Sequence, residues 1–352
     1  MRLIPAVSAV RIRPPPGYKD KLLEKFKNTV IKHHLIKRGD RILCAVSGGP
    51  DSLTLLSLLE ELRKEMDFTL GIAHFHHGIR KEADEDLKFV HKLAKKKNIS
   101  FYWGKRDVPE IARQKKKSLE EAAREERYNF LLSIAKKYSF SKIAVAHNRD
   151  DQVETFLHRL IRGAGLKGLC AIPVKVEIQD VTVIRPLIEI SRREIEEYLE
   201  RCNITPRLDL SNYDTRFTRN KIRQKLIPYL MREFNPNIQE VLYTTVENIQ
   251  LAYQFISQEV EKAFKRYVKF EPGCVKIKEE KLKKLHPYLK TELVRRAIRE
   301  VKMDLKRIEY DHWLEIESLV AFRPYGSIVD LPHNIWVKKE KGWLVIGRKK
   351  NG

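Results

Sequence analysis

Cysteine is scarce in this chain, and the four it has stand far apart. Cys44, Cys170, Cys202 and Cys274 include no C-x-x-C pair. A disulfide framework, a zinc ribbon and a multi-cysteine iron–sulfur site therefore lose support. Apolar runs are short, and none approaches the roughly 18 residues that a membrane span needs, so no membrane partner is expected. No internal repeat stands out. The G-x-x-x-x-G-K-[ST] spacing of a Walker A loop does not occur. Acidic side chains are in deficit: 47 Asp and Glu face 70 Lys and Arg, a net charge of +23. A surplus of that size points to a polyanionic partner, nucleic acid first. The competing reading is a solvated, Lys-rich surface of the thermophile kind.

The surplus is uneven. Residues 1–214 hold 41 basic and 30 acidic side chains (net +11), and residues 215–352 hold 29 and 17 (net +12). The shorter, C-terminal part is the more cationic per residue. A length of 352 residues exceeds what one core usually fills, and 42% hydrophobic residues supply material for two. Residues 1–10 are mildly apolar, but Arg11, Arg13 and Pro14 to Pro16 follow at once. That makes a weak signal peptide, and residues 1–18 read as an extension.

Periodicity supplies the architecture. Residues 18–36 carry Leu22, Leu23, Phe26, Val30 and Ile31 at helical spacing. Residues 41–46 form a continuous apolar run, as a buried parallel strand does. The alternation then repeats: helix over 51–62, strand 68–76, helix 81–97, strand 100–104, helix 118–138, strand 142–146, helix 150–162. Ser118 and Glu121 have capping-box spacing. This order predicts an α/β fold, a doubly wound parallel sheet with helices on both faces. After about residue 212 the pattern changes. Residues 216–232 are basic, long helices are expected over 238–267 and 287–301, and residues 326–348 alternate as a small β meander. The expected domains are 19–216 and a smaller α+β domain over 217–352.

The strongest chemical signal is Ser47-Gly48-Gly49-Pro50-Asp51-Ser52, placed between a buried strand and a helix. Glycines allow a tight turn with N–H groups pointing inward, and the helix N-terminus adds positive potential. With two serine hydroxyls this makes a cradle for the phosphates of a nucleotide. Gly163-Ala-Gly165-Leu-Lys-Gly168 fits G-x-G-x-x-G but follows a helix, so its glycines are expected to end that helix.

A second signal, residues 146–155 (AHNRDDQVET), lies at another strand's C-terminal end, the ligand-binding edge of open parallel sheets. Asp150, Asp151 and Glu154 have spacings that put their carboxylates on one helix face. Carboxylates gathered in that way call for a cation, Mg²⁺ on nucleotide phosphates or a substrate ammonium. Arg124, Arg127, Arg219, Lys221, Arg223 and Lys225 supply forks and charges suited to phosphates. His74, His76 and His77 lack further ligands at metal spacing and are expected to line or pack the cleft.

Together, SGGPDS, HFHHGIRKEADED, SLEEAAREERY, AHNRDDQVETFLHRLIRGAGLKGL, RPLIEISRREIEEYL and TRNKIRQKLIP resemble the tRNA(Ile)-lysidine synthases, a branch of the PP-loop ATP pyrophosphatases. The likeness spans roughly residues 20–230 and continues more weakly beyond. It implies a Rossmann-like PP-loop domain and the following reaction. ATP adenylates the C2 oxygen of the wobble cytidine in a CAU anticodon and releases pyrophosphate. L-lysine then displaces AMP through its ε-amine.

The resemblance assigns Ser47, Gly48, Gly49, Pro50, Asp51 and Ser52 to ATP, with Asp51 assisting Mg²⁺. It assigns Asp151 and Glu154 to the lysine and the reacting centre, and Arg127 and Arg223 to charge stabilisation. Arg219, Lys221 and Lys225 are expected on the tRNA(Ile), and a cytoplasmic homodimer is implied. The family usually has His-His before the acidic run, whereas this chain has His147-Asn148. The rival readings are a thiolating PP-loop tRNA enzyme, whose C-x-x-C sites are missing here, and a non-catalytic RNA-binding protein.

Overall fold

The computed structural model describes residues 18–79, 83–207, 218–305 and 307–349. The extension expected at 1–18 lies almost wholly outside these residues, as does the boundary expected at 216/217. Two compact units are present, residues 1–247 and 248–352. Their division falls later than the composition suggests, because residues 218–233 pack on the first unit.

In the first unit the elements run α1 (Tyr18–Lys32), β1 (Arg41–Ala45), α2 (Pro50–Arg63), β2 (Thr69–His76), α3 (Ala83–Lys96) and β3 (Ser100–Lys105). Then come α4 (Val108–Lys115), α5 (Leu119–Lys137), β4 (Lys142–Ala144), α6 (Arg149–Ile161), α7 (Leu166–Leu169), β5 (Lys175–Ile178), β6 (Val181–Ile184) and α8 (Arg192–Arg201). The unit closes with α9 (Thr218–Lys221), a π-helical turn (Ile222–Leu226), α10 (Ile227–Glu233) and the start of α11 (Ile238–Tyr267).

Six strands form one sheet in the order β3-β2-β1-β4-β6-β5, parallel except for the β5–β6 hairpin. In β1, Ile42, Leu43 and Cys44 are all buried, so the strand shows no alternation. A strand covered on both faces requires that pattern. Leu55, Leu56, Leu58 and Leu59 of α2 join Phe26 of α1 in one core; Leu131 and Ala135 of α5 pack with Leu43 and Ile143 in the other. The chain winds outward from β1 to β3, then returns to place β4 on β1's other side. That reversal opens a crevice at the C-terminal ends of β1 and β4. The two chemical loops follow these two strands.

Sequence periodicity anticipates most of these elements within a few residues. Ser118 caps α5 as expected, its Oγ accepting from the Glu121 N–H at 3.2 Å. Gly163, with φ +75°, follows the end of α6, so the G-x-G-x-x-G string ends a helix and does not open one after a strand. Unforeseen are α4, α7, the β5–β6 hairpin and α8. The hairpin turns through Gln179 and Asp180, both at positive φ, and has no glycine to mark it.

The second unit holds the remainder of α11, then β7 (Val268–Glu271), β8 (Cys274–Lys278), α12 (Glu279–Lys284), α13 (Pro287–Lys302), α14 (Tyr310–Ala321), β9 (Ile328–Leu331), β10 (Ile335–Glu340) and β11 (Trp343–Arg348). The expected meander β9–β11 is extended by the β7–β8 hairpin into a five-stranded antiparallel sheet, order β7-β8-β11-β10-β9. Alternate residues Ile335 and Val337 face a core shared with Leu293 and Ile298 of α13 and Leu319 of α14.

Candidate active site

The loop after β1 turns through Gly48, whose φ of +97° is a conformation that glycine adopts without strain. Ser52 Oγ closes the turn. It accepts from the Ser47 and Gly48 N–H groups at 3.2 Å each and donates to the Gly49 carbonyl at 3.0 Å. The Ser52 hydroxyl is therefore engaged inside the loop, and Ser47 is the exposed hydroxyl of the two. Gly49 is the N-cap of α2 and Pro50 begins the helix, with no side chain capping the first turn. The uncapped N–H groups favour an anion there. On the neighbouring strand, His74 Nδ1 lies 2.8 Å from the Val46 carbonyl oxygen and braces the loop's approach. Among the described residues no group of His, Cys, Asp and Glu side chains forms a metal cluster of three or more.

Across the crevice, Asn148 is the N-cap of α6 and is buried. Its Oδ1 accepts from the Asp151 N–H at 3.0 Å, and Asp151 Oδ2 accepts from the Asn148 N–H at 3.0 Å, a reciprocal capping box. The remaining amide donor, Nδ2, reaches Asp51 Oδ1 at 2.9 Å. Asp51 and Asp151 thus face one another with Asn148 between them. Burial, then the negative charge of Asp151, raises the Asp51 carboxyl pKa to about 6. Asp150 does not join this pair, contrary to the expectation from its spacing. It accepts from the Arg192 N–H at 2.8 Å and from Gln239 Nε2 at 3.2 Å, tying α6 to α8 and α11.

Glu154, one turn along α6, is 1% exposed and bonded through both oxygens to Arg223, at 2.5 Å to Nε and 3.0 Å to Nη2. Burial raises the Glu154 pKa, and Arg223 opposes that rise. The same guanidinium lies 3.6 Å from Asp151 Oδ1, and Arg219 donates to Thr155 Oγ1 at 2.7 Å. Arg223 belongs to the π-helical turn, where the Ile227 N–H bonds the Ile222 carbonyl. Pro228 follows and has no N–H to offer a regular ladder. One wide turn here reorients the side chains around Arg223, a placement often met at functional sites. Sequence patterning gives no sign of it.

Arg127 lies beside Arg124, each near the Tyr128 ring, at 5.9 and 5.0 Å from its centroid. Neither pairs with a carboxylate among the described residues. Burial, with Arg124 and Arg219 nearby, pulls the Arg127 pKa down. His147 is held well below its ordinary pKa by burial first and then by Arg185 and Arg127, so its imidazole is neutral. Its buried Nδ1 has no hydrogen-bond partner among the described residues. Arg185 carries no distinct sequence signature as a site residue, and only the fold brings it and His147 to these arginines. Among the described residues this cluster of Arg124, Arg127 and Arg185 holds no carboxylate partner of its own, and Asp151 lies near enough for its charge to act on Arg127. Lys221 and Lys225 are exposed and make no ion pair among the described residues.

A family model described as a PP-loop domain matches residues 18–230. The tRNA(Ile)-lysidine synthase of Clostridioides difficile is 36% identical over 92% of this chain and 70% of its own length. The protein of the same name from Caldanaerobacter subterraneus subsp. tengcongensis is 37% identical over 94% and 70%, and that of Thermotoga maritima 35% over 89% and 72%. The chain belongs to the tRNA(Ile)-lysidine synthase family. Among solved structures, the U34-tRNA thiolase NcsA of Methanococcus maripaludis aligns with a TM-score of 0.57 at 17% identity, covering 67% of this chain and 80% of that one. That likeness supports the fold alone. As a lysidine synthase family member the chain is an ATP-using PP-loop ligase, and the thiolation reading gives way. Within this family member, Asn148 supplies one donor and one acceptor. A neutral imidazole offers the same pair, which accounts physically for Asn where the family resemblance expects His.

Proposed function

We propose that this protein ligates L-lysine to C2 of the wobble cytidine of a CAU-anticodon tRNA(Ile). The reading is carried by one arrangement: an uncapped phosphate-type loop at the start of α2, facing Asp151, Glu154 and the half-buried Arg223 on the elements opposite. The cytidine C2 oxygen attacks the α-phosphorus of ATP, and pyrophosphate leaves. The lysine ε-amine then attacks C2, the C2–O bond breaks, and AMP leaves with the oxygen. Residues 47–52 hold the ATP phosphates through backbone N–H groups and the Ser47 hydroxyl. Arg127 and Arg223 stabilise negative charge on the phosphates and the adenylated base.

Asp51 and Asp151 fit a Mg²⁺ that arrives with ATP, since Mg²⁺ is commonly held by one or two carboxylates plus phosphates. Burial first, and then the Asp151 charge, raise the Asp51 pKa, and a cation would relieve the second of these. When bound, the ion neutralises developing charge on pyrophosphate. Asp151 and Glu154 draw the lysine ammonium, with Asp151 the more open of the two because both Glu154 oxygens hold Arg223. Asp151 also takes the proton that the amine must lose before attack.

Lys221 and Lys225 contact the tRNA near the cleft, where Arg219 is turned to Thr155 and Glu154 of α6, and the cationic residues after 214 grip it farther away. A cytoplasmic setting and a homodimer complete the reading. No helix among the described residues is long and apolar enough to cross a membrane.

The decisive assay combines the purified protein with ATP, labelled lysine and CAU-anticodon tRNA(Ile). The expected result is lysine incorporation with stoichiometric AMP. Folded protein that binds ATP and tRNA yet incorporates no lysine overturns the reading.

A further inference from the structure

Beyond Arg223, the same helical segment carries a groove that the proposed chemistry does not use. Ile161, Ile222, Leu226 and Tyr229 line it together with Lys221 and Lys225, around a volume of about 470 Å³. Lys221, Lys225 and Tyr229 follow one another at four-residue intervals, while Arg219 and Arg223 turn to Glu154 and Thr155. The segment therefore separates its cations into two sets. Arg219 and Arg223 are committed to α6. Lys221 and Lys225 are exposed, without ion pairs among the described residues.

Tyr229 is 48% exposed and Phe234 70%, their rings meeting edge-on with centroids 5.8 Å apart. Arg232 lies 5.9 Å from the Tyr229 centroid and is paired with Glu233 at 2.5 Å, so among the described residues the free cations at the groove are Lys221 and Lys225. Cations thus border an open aromatic face, and residues 219–232 contain no acidic side chain. An apolar protein helix seated here would bury two lysines without neutralising them. A nucleotide answers both features, with a π-face for the ring and a phosphate for the lysines. Tyr229 stands roughly 9 Å along the helix axis from Arg223, near the reaction centre but outside it.

We propose that this groove holds an unstacked nucleotide of the RNA loop beside the reacting cytidine, its base on Tyr229 and its phosphates on Lys221 and Lys225. The inference rests on the RNA substrate proposed above.

The test measures binding of a CAU anticodon stem-loop RNA to the full chain and its variants across a salt series. Tyr229→Ala should weaken binding on the order of 10-fold, and Tyr229→Phe should keep most of the affinity because the ring remains. The exposed pair Lys221→Gln/Lys225→Gln should reduce the slope of log K against log salt by about 1.4. Wild-type affinity in Tyr229→Ala, an equal loss in Tyr229→Phe, or an unchanged slope in the lysine pair overturns the groove assignment. Lysine incorporation by the wild-type chain is scored separately. If incorporation fails while RNA binding responds as expected, the ligation reading falls and the groove stands. If incorporation succeeds while the variants bind like wild type, the groove alone falls.

Discussion

Asn148 Nδ2 donates to Asp51 Oδ1 at 2.9 Å while Asn148 Oδ1 caps α6 through the Asp151 N–H at 3.0 Å. One buried amide therefore joins the first turns of α2 and α6 across the crevice. Asn148→Ala should lower thermal stability by about 1 kcal/mol, the usual cost of a lost cap, and reduce lysine incorporation by freeing Asp51. Asn148→His should keep both, because a neutral imidazole also pairs one donor with one acceptor. Thermal melts and the incorporation assay check this. An alanine variant equal to wild type in both removes Asn148 from the site's framework.

The carboxyl of Asp51, raised to about 6 by burial and then by Asp151, makes stability depend on pH. A raised pKa means that the folded chain holds this proton more tightly than the unfolded chain does. Its contribution is complete below the ordinary carboxyl range and is lost as pH climbs through about 6. Asp51→Asn should be more stable than wild type at about pH 8, by up to about 3 kcal/mol. Below about pH 4 the two should converge, and incorporation should fall at every pH. Equal melting temperatures across that range refute the strained carboxylate.

Arg223 and Glu154 are expected to behave as a unit. Arg223→Met removes both hydrogen bonds of the buried Glu154 carboxylate, leaving it only Arg219 at 3.7 Å among the described residues, and should destabilise the fold by about 3 kcal/mol. Adding Glu154→Gln should restore much of that stability but none of the activity. A double-mutant cycle on denaturant midpoints measures the coupling, and additive effects rule it out.

Asp151→Asn keeps an oxygen that can accept from the Asn148 N–H, so the capping box and the melting temperature should survive. Lysine incorporation should fall by about 100-fold or more if this carboxylate holds and deprotonates the amine. Near-wild-type incorporation removes Asp151 from the reacting centre.

Much of the catalytic unit is legible in the order of residues. Continuous apolar runs mark β1, β2 and β4, because strands buried on both faces cannot alternate. Helical spacing marks α2, α5 and α6, and the loop at residues 47–52 declares itself through glycines placed between strand and helix. The β5–β6 hairpin is not legible, since Gln179 and Asp180 take positive φ without glycine. Local spacing also misplaces Asp150. On an isolated helix it shares a face with Glu154, but the Arg192 N–H and Gln239 draw it outward.

Sequence alone determines the wound α/β class, the anion loop and the identity of the acidic and basic groups, because these depend on short-range periodicity and backbone chemistry. Tertiary structure decides which of those groups meet. The strand reversal between β1 and β4 brings Asp51 to Asn148, and the π-helical turn before Pro228 aims Arg223 at Glu154. Both results depend on contacts between segments 69 to 97 residues apart, and no local pattern encodes such a meeting.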